Sequence, residues 1–239
     1  MSMRIYTMTH KKFTPLPDPL YVPLHVGRAC GENLGYLGDD TGEQISALNC
    51  YYSELTGFYW IWKNCHDADY VGTCHYRRYL INEKEQIYTE KEYRELLRKY
   101  DLVTTKKVLL NNSYYDGFLA NHNIRALEMT GKVITEKYPE YADAFEQLVN
   151  GRQTYFGNIL VTSKILFDEY ASWLFSIFFE VAERIELETG EDAYHKRVFG
   201  FISEFLLLVW VTVKKLRVYE CKVGMLGEKA AVSYTHLTL

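Results

Sequence analysis

Residues 54–79 restrict the fold more than any other stretch, because an aromatic helical pattern leads directly into a buried strand pattern. The apolar side chains that recur at nearly helical spacing are Leu55, Phe58, Tyr59, Ile61 and Trp62. Residues 64–69 are polar and end that pattern, and residues 70–74 then have the composition of a short buried strand. A helix that feeds a buried strand in this way indicates an α/β protein.

The predicted strand ends abruptly in polar or amphipathic side chains, which are His75, Tyr76, Arg77, Arg78 and Tyr79. Open α/β sheets bind their ligands in the crevice outside the carboxyl ends of their strands. The adjacent arginines suit an anionic ligand, since a guanidinium group forms paired, charge-assisted hydrogen bonds with phosphate. A solvated turn with surface ion pairs is the alternative interpretation, but the flanking histidine and tyrosines favour a ligand site.

A second polar group follows the first predicted strand. Residues 4–9 alternate as a β-strand does, and Thr9, the last of them, is followed at once by His10 and Lys11. Taken alone, this group is better explained as an ordinary exit from a strand. Residues 13–23 then contain four of the five prolines, which predicts an extended loop.

Residues 31–42 contain four glycines and the adjacent pair Asp39 and Asp40. The glycine spacing is not that of a dinucleotide-binding loop. A glycine-rich loop nevertheless lets the backbone approach a ligand closely. The two aspartates fit ribose hydroxyls or a metal ion, and Asp40 fits the start of a turn equally well.

The rest of the chain alternates between predicted helices and short strands. Apolar runs predict further strands over residues 21–26, 101–105 and 154–162. Amphipathic patterns predict helices over residues 90–100, 123–137, 139–149, 163–185 and 195–216. Thr89 and Glu92 have the spacing of a capping box at the first of these helices. Residues 106–121 are predicted to be a loop, either a lid over a substrate or an ordinary mobile segment.

Two features late in the chain carry candidate chemistry. Gly157 and Asn158 interrupt a predicted strand, and a glycine there often marks a bulge or a close approach to a ligand. Glu204 lies among apolar side chains in the last predicted helix, with Arg197 two turns earlier. A carboxylate in apolar surroundings is either paired with an arginine or used in function, and the two interpretations are compatible.

Composition argues against several classes of protein. The 239 residues carry a formal net charge of −4, which argues against a general nucleic-acid-binding protein. The five cysteines are odd in number and form no CxxC pair, so we expect a reducing compartment and no zinc site. The longest apolar run, residues 205–211, is too short to span a bilayer. We therefore expect a cytoplasmic protein, with docking at the inner face of the cytoplasmic membrane left open.

The motifs together resemble DUF4422, a bacterial family from capsular and exopolysaccharide gene clusters. The matching segments are residues 21–27, 38–42, 54–64, 69–79 and 197–204. The resemblance implies a glycosyltransferase with one GT-A-like domain over residues 1–225, built on a Rossmann-type mixed sheet flanked by helices. Residues 231–239 do not match the family and resemble translated sequencing-adapter read-through, so we expect a non-native or disordered tail over residues 226–239.

The resemblance also implies roles for the polar side chains. In many GT-A enzymes a D-x-D motif, after the central helix and strand, holds a divalent metal on the donor diphosphate. Here His75, Arg77 and Arg78 occupy that place and are expected to neutralise the leaving diphosphate directly. No divalent ion is therefore expected to be strictly required, and Asp39 and Asp40 are the fallback site for manganese or magnesium.

The expected reaction moves a sugar from a nucleotide-diphosphate sugar to a saccharide or lipid-linked acceptor, in capsular, exopolysaccharide or O-antigen synthesis. Glu204 stands where many inverting GT-A enzymes carry their general base, which implies inversion at the anomeric carbon. The residues expected to bind the nucleotide sugar are Thr9, His10, Lys11, Asp39, Asp40, Tyr76, Tyr79 and Asn158. Two alternatives are kept: a catalytically silent sugar-binding component of polysaccharide assembly, and a sugar nucleotidyltransferase.

Overall fold

The computed structural model describes residues 2–187 and 193–226, and these form a mixed α/β structure, as predicted. Its strands are β1 (Met3–Thr9), β2 (Tyr21–His25), β3 (Leu37–Gly38), β4 (Tyr70–His75), β5 (Arg78–Ile81), β6 (Leu102–Thr105), β7 (Val108–Leu109), β8 (Gln153–Thr154), β9 (Leu160–Ser163) and β10 (Val218–Met225). Its α-helices are α1 (Asn49–Tyr52), α2 (Leu55–Asn64), α3 (Glu90–Leu97), α4 (Tyr114–Asn121), α5 (Ile124–Lys137), α6 (Ala142–Val149), α7 (Lys164–Arg184) and α8 (Val198–Val213). Apart from Leu226, the tail expected over residues 226–239 lies outside the described residues.

The main sheet is parallel on one side and mixed on the other. Strands β3, β2, β1 and β4 lie side by side and run parallel. Strand β9 runs antiparallel between β4 and β6, β10 runs parallel to β6, and β5 runs antiparallel to β10. Met3 pairs with Tyr70 and Met8 with His75, so β1 and β4 end at the same edge of the sheet. That edge is where the sequence predicts a ligand.

One pairing changes the open sheet that the sequence predicts. His75 and Arg78 pair across the turn at residues 76–77, so β5 stays attached to β4 while it also pairs with β10. Strands β4, β5, β10, β6 and β9 therefore close into a ring. The prediction missed β5 and β10, because they pair across a large separation in sequence and local patterns carry no signal of such a pairing.

The strands predicted over residues 4–9, 21–26, 70–74 and 101–105 are confirmed as β1, β2, β4 and β6. The single strand predicted over residues 154–162 is wrong. Gly157 has a φ of +93° and Asn158 a φ of +48°, and this left-handed pair cannot belong to a strand. Strands β8 and β9 are separate elements on either side of this turn.

The predicted helices are confirmed as α3, α5, α6, α7 and α8, each somewhat shorter than its pattern. Thr89 and Glu92 form the expected capping box at the start of α3. The loop predicted over residues 106–121 is wrong, because β7 and α4 occupy most of it. Helix α4 starts where Ser113 Oγ accepts a hydrogen bond from the Asp116 backbone N–H, a cap that the prediction overlooked.

Helix α2 lies directly on the sheet because a glycine faces it. A Cβ at Gly57 would lie 2.6 Å from Met8 Sδ, so any larger residue would push the helix away from β1. On its other side α2 packs against α7, where the rings of Phe58 and Phe167 stack at a centroid distance of 5.5 Å. This packing fixes the N-terminal end of α2, where Glu54 precedes the first helical residue.

Helix α8 is buried along most of its length, and its N-terminal part meets the sheet edge described above. Tyr114 of α4 stacks on Phe205 at a ring-centroid distance of 4.3 Å and covers one side of the helix. Phe201 and Glu204 keep partial exposure, so they lie at the boundary between core and solvent. Among the described helices, α8 included, we find none with the length and apolar character to cross a bilayer.

Candidate active site

Gly157 joins two of the residues that were predicted to be catalytic. Its backbone N–H donates a hydrogen bond to Glu204 Oε1 at 2.6 Å, and its carbonyl oxygen lies 2.5 Å from His75 Nε2. Because a carbonyl oxygen only accepts, His75 carries its proton on Nε2. The end of β4 and the N-terminal part of α8 are thus tied to one turn, and a pair of candidate catalytic side chains is held by the same residue.

Asn158, the second residue of this turn, is clamped from three sides. Its Nδ2 donates to Glu54 Oε1 at 2.7 Å and to the Gly200 carbonyl oxygen at 3.0 Å. Its Oδ1 accepts a hydrogen bond of 2.9 Å from Ser203 Oγ. The side chain is buried and turned toward protein, so its predicted contact with the nucleotide sugar stays a prediction, and its contacts in the fold are those of a structural clamp.

Glu54 is a buried carboxylate that sequence reasoning did not select. Its side chain lies at the N-terminal end of α2 with only 7% exposure. Arg197 is its basic neighbour, with Nη2 at 3.7 Å from Glu54 Oε2. Arg197 Nε also donates a hydrogen bond of 2.7 Å to Ser53 Oγ, and Ser53 has an unfavourable φ of +51°. Arg197, which the sequence offers as one possible partner of Glu204, therefore lies next to Glu54 instead.

The surroundings of Glu204 disfavour its charged form. Burial raises the pKa of this carboxyl from 4.5 to about 8, and the nearby charge of Glu54 adds to the effect. The Gly157 N–H and the guanidinium groups of Arg78 and Arg197 act in the opposite direction. Without a ligand, Glu204 is therefore mostly protonated at pH 7, and its conjugate base is stronger than an ordinary carboxylate.

The surroundings of the neighbouring histidines also disfavour the charged form, which for a histidine means a lowered pKa. Burial lowers the pKa of His75 below 6.5 despite the charge of Glu54, so this imidazole is neutral at pH 7. Burial also lowers the pKa of His10, and the charges of Lys11, Arg197 and Arg77 add to that effect.

Four cationic side chains lie near one another at this edge of the sheet. Lys11 follows β1, Arg77 and Arg78 follow the end of β4, and Arg197 precedes α8. Within the described residues, the ion pairs include no carboxylate partner for Lys11, Arg77 or Arg78. The edge of the sheet therefore offers positive charge to an anion.

Aromatic rings border the cationic edge on the β1 side. Tyr76 lies edge-to-face against His10 at a ring-centroid distance of 5.7 Å, and the Arg77 guanidinium lies 5.0 Å from the Tyr76 centroid. Phe13 contacts both Tyr76 and Tyr36, at 5.8 and 5.4 Å. We call the rings of His10, Phe13, Tyr36 and Tyr76 the β1-edge aromatic cluster. Its rings provide faces on which a nucleobase can stack.

A second set of rings lies on the α8 side, next to Glu204. The Phe201 ring stacks on His122 at a centroid distance of 4.3 Å and contacts Tyr194 at 5.0 Å. The Arg197 guanidinium lies 5.7 Å from the Phe201 centroid. Burial lowers the pKa of His122 to about 4, so its imidazole is uncharged at neutral pH. Tyr194 is 51% exposed and gives the group an open face.

The structure separates the two predicted aspartates. Asp39 is fully buried: its Oδ2 accepts from the Gly27 N–H at 2.9 Å, and its Oδ1 accepts from the Arg28 N–H and from Ser46 Oγ. Its carboxylate therefore stabilises the turn after β2 through these hydrogen bonds. Asp40 is different, because its Oδ1 is buried without a hydrogen-bond partner and its Oδ2 lies 3.5 Å from Arg28 Nε. The Asp40 side chain keeps 26% exposure, so it is the member of the pair that a ligand can reach.

Two other predicted ligand residues have local roles. Thr9 Oγ1 accepts a hydrogen bond from the Lys11 N–H at 3.1 Å and donates one to the Lys11 carbonyl, which fixes the turn after β1. Tyr79 lies in β5 with 1% exposure, and its ring packs against Tyr21 in a core on the sheet. The structure thus does not bring Tyr79 to the site. Successive side chains of β5 point to opposite faces of the sheet, and that of Tyr79 points into the core.

Residues 4–215 match the family described as "Domain of unknown function (DUF4422)". The chain belongs to this family. A solved structure described as an apo form of WbbM, a bifunctional glycosyltransferase, matches with a TM-score of 0.85 and 30% identity. The match covers 95% of this chain and 46% of that one, so the chain spans less than half the length of the WbbM structure. A search of curated proteins gave no match.

Several residues of this DUF4422 chain escaped the sequence reasoning. Glu54 opens one of the segments that match the family, and an acid directly before an apolar, aromatic-rich helical pattern is a signal that could have selected it. Arg197 was considered only as a partner for Glu204. Phe13 and Tyr36 lie in loops, where no periodic pattern points to the cluster that they form with Tyr76.

Proposed function

We propose that this chain is a glycosyltransferase that moves a sugar from a nucleotide-diphosphate sugar to a saccharide hydroxyl in surface polysaccharide synthesis. One observation carries the proposal: a carboxyl of high proton affinity, Glu204, shares the Gly157 turn with the strand end that presents Arg77 and Arg78. The likeness to a solved glycosyltransferase over 95% of the chain supports the same reaction class. The parallel run of β3, β2, β1 and β4, with β9 antiparallel beside it, supports a GT-A-type assignment.

The donor is proposed to bind along the sheet edge. The β1-edge aromatic cluster stacks on the nucleobase, and the partly exposed carboxylate of Asp40 accepts a hydrogen bond from the base or the ribose. Lys11, Arg77, Arg78 and Arg197 then face the diphosphate, whose charge they are suited to balance. This arrangement places the sugar between the diphosphate and Glu204.

The described residues do not fit a resident divalent cation. They contain no group of three or more side chains of the metal-binding types. Asp39 already accepts hydrogen bonds from three protein donors, which leaves Asp40 as a lone acid beside Arg28. We therefore assign the neutralisation of the leaving diphosphate to Arg77 and Arg78 and route no step through a metal.

The proposed reaction inverts the anomeric carbon. Glu204 takes the proton of the acceptor hydroxyl as its oxygen attacks the anomeric carbon, while the bond to the diphosphate oxygen breaks and its electron pair leaves with the nucleotide. The proton ends on Glu204, which the buried setting favours because the neutral carboxyl is its stable form there. Neutral His75 is expected to donate through Nε2 to Gly157 and to hold that turn in place during the reaction.

Calorimetry with uridine diphosphate and guanosine diphosphate tests the proposal. We expect one of them to bind more tightly than about 1 mM, which corresponds to roughly −4 kcal/mol. Arg78→Ala should weaken that binding, whereas Arg98→Ala, an exposed arginine at the end of α3, should leave it unchanged. Failure of both nucleotides and of their adenosine, cytidine and thymidine counterparts to bind would contradict the proposal.

A further inference from the structure

We propose that Glu54 is a positioning residue for the transfer reaction: through Asn158 it fixes the turn that carries both His75 and Glu204. The inference rests on the proposed function, in which Glu204 accepts the proton of the acceptor. Glu54 is buried, and its Oε1 is engaged by Asn158 Nδ2, so it is proposed to act through the turn and not on the substrate.

The first step is the attachment of Glu54 to the turn. Its Oε1 accepts a hydrogen bond of 2.7 Å from Asn158 Nδ2, and the left-handed φ of +48° at Asn158 is held in place by this contact together with Ser203 and Gly200. Asparagine is one of the few non-glycine residues that adopt this conformation, and the hydrogen bonds of its side-chain amide select it here. Glu54 is one of the groups that enforce it here.

The second step runs from Asn158 to its neighbour. Gly157 donates its N–H to Glu204 and accepts from His75 through its carbonyl, at 2.6 and 2.5 Å. A change of backbone angles at Asn158 therefore moves the hydrogen-bond partners of both side chains at once. The carboxylate at the N-terminal end of α2 thus controls the geometry of groups from β4 and α8.

The third step is electrostatic. The groups that face Glu204 are Glu54 before α2, neutral His75 at the end of β4, Arg78 in β5, Tyr114 in α4 and Arg197 before α8. Of these, Glu54 is the anion, and burial together with its charge raises the pKa of Glu204, whereas the two arginines lower it. Arg197 is also the basic neighbour of Glu54, at 3.7 Å. Removing the Glu54 charge both ends a repulsion and frees Arg197 to act on Glu204.

The test is the pH profile of Glu54→Gln. Glutamine keeps an oxygen that can accept from Asn158 but loses the charge, so the fold should be retained and nucleotide binding should not weaken. We expect the rising limb of the rate against pH, which is set by Glu204, to lie about one pH unit lower than in the parent chain. The plateau rate should fall several-fold, because a weaker base transfers the proton less effectively.

Glu54→Asp is the matched variant, since it keeps the charge but shortens the reach to Asn158. It should lower kcat at least about tenfold. The pH at which the rate rises should stay close to that of the parent chain, because the negative charge is kept. If Glu54→Gln is unfolded, the test depends on Glu54→Asp. Full activity of Glu54→Asp would contradict a positioning role. A folded Glu54→Gln with an unmoved limb overturns the inference, and a parent chain that turns over no nucleotide sugar contradicts the proposed function instead.

Discussion

Replacing Glu204 with glutamine separates the chemistry of this carboxyl from its place in the fold. The glutamine side chain would keep an oxygen for the Gly157 N–H, which donates to Glu204 Oε1 at 2.6 Å in the parent chain. It cannot accept the proton of the acceptor hydroxyl. Loss of a general base costs about 10²–10⁴-fold in rate, so we expect a reduction of that size in transfer. Nucleotide affinity should stay unchanged, because the proposed nucleotide site lies at the β1 and β4 ends.

The same variant should be more stable than the parent at alkaline pH. The pKa of Glu204 moves from 4.5 to about 8 in the folded chain, and a tenfold change in an ionisation constant equals about 1.4 kcal/mol. Below pH 4.5 the carboxyl is protonated in both states and does not change the free energy of unfolding. As the pH rises from there to about 8, the unfolded chain ionises first and stability is lost, up to a penalty on the order of 5 kcal/mol.

Urea unfolding at pH 5 and pH 9, with initial transfer rates at both, measures these effects. We expect parent and variant to differ little in stability at pH 5, and the variant to be more stable at pH 9. Equal stability differences at both pH values would refute the burial argument. A folded variant with nearly parental transfer would refute the general-base role, and His195 would be the next residue to change. Asp192, the other candidate just upstream, lies outside the described residues.

Three further predictions follow from the site. Transfer should persist in excess chelator, because Arg77 and Arg78 balance the diphosphate; complete loss that manganese restores would contradict this. Gly157→Ala should cost roughly 1–2 kcal/mol in urea unfolding, since its φ of +93° suits glycine, and should lower kcat; an unchanged kcat would show that the turn does not position the site. Tyr194→Ala should raise the KM for the acceptor about tenfold, or 1.4 kcal/mol, because the exposed Tyr194 ring beside Phe201 offers a face on which an acceptor sugar can stack. Leu119→Ala, equally exposed, should not change that KM; equal KM values in both variants would exclude stacking by Tyr194.

Much of the sheet edge was predictable from local sequence. The helical repeat before residue 64 and the apolar run at residues 70–74 determine α2 and β4 without help from distant parts of the chain. The polar residues after that run therefore fall at the carboxyl end of a buried strand, and Arg77 and Arg78 lie there in the structure. Periodicity and strand direction are enough for this part of the argument.

The closed ring and the turn at Gly157 were not predictable in the same way. Strand β5 exists because β10 pairs with it from the far end of the chain, and local patterns do not report such a partner. Gly157 and Asn158 were recognised as an interruption, but a strand with a bulge and two strands with a left-handed turn give the same sequence pattern. The outcome depends on Glu54, Ser203 and Gly200, which hold Asn158 from other elements.

Sequence also shows which polar groups exist, but not which of their atoms are already occupied. Asp39 and Asp40 are adjacent and chemically identical. Both oxygens of Asp39 accept hydrogen bonds from protein donors, whereas Asp40 keeps a buried oxygen without a partner. Tyr79 and Tyr76 are only three residues apart, and one lies in the core while the other borders the site. Assigning ligand residues therefore required the hydrogen bonds and the burial of the folded chain.

The most direct test of the account is nucleotide release from a panel of nucleotide sugars, measured with and without saccharide acceptors, for the parent chain and Glu204→Gln. The account predicts that at least one donor is turned over, that an acceptor increases the rate, and that Glu204→Gln loses about 10²–10⁴-fold while still binding the nucleotide. Absence of release from every donor, or equal release by both chains, would contradict it.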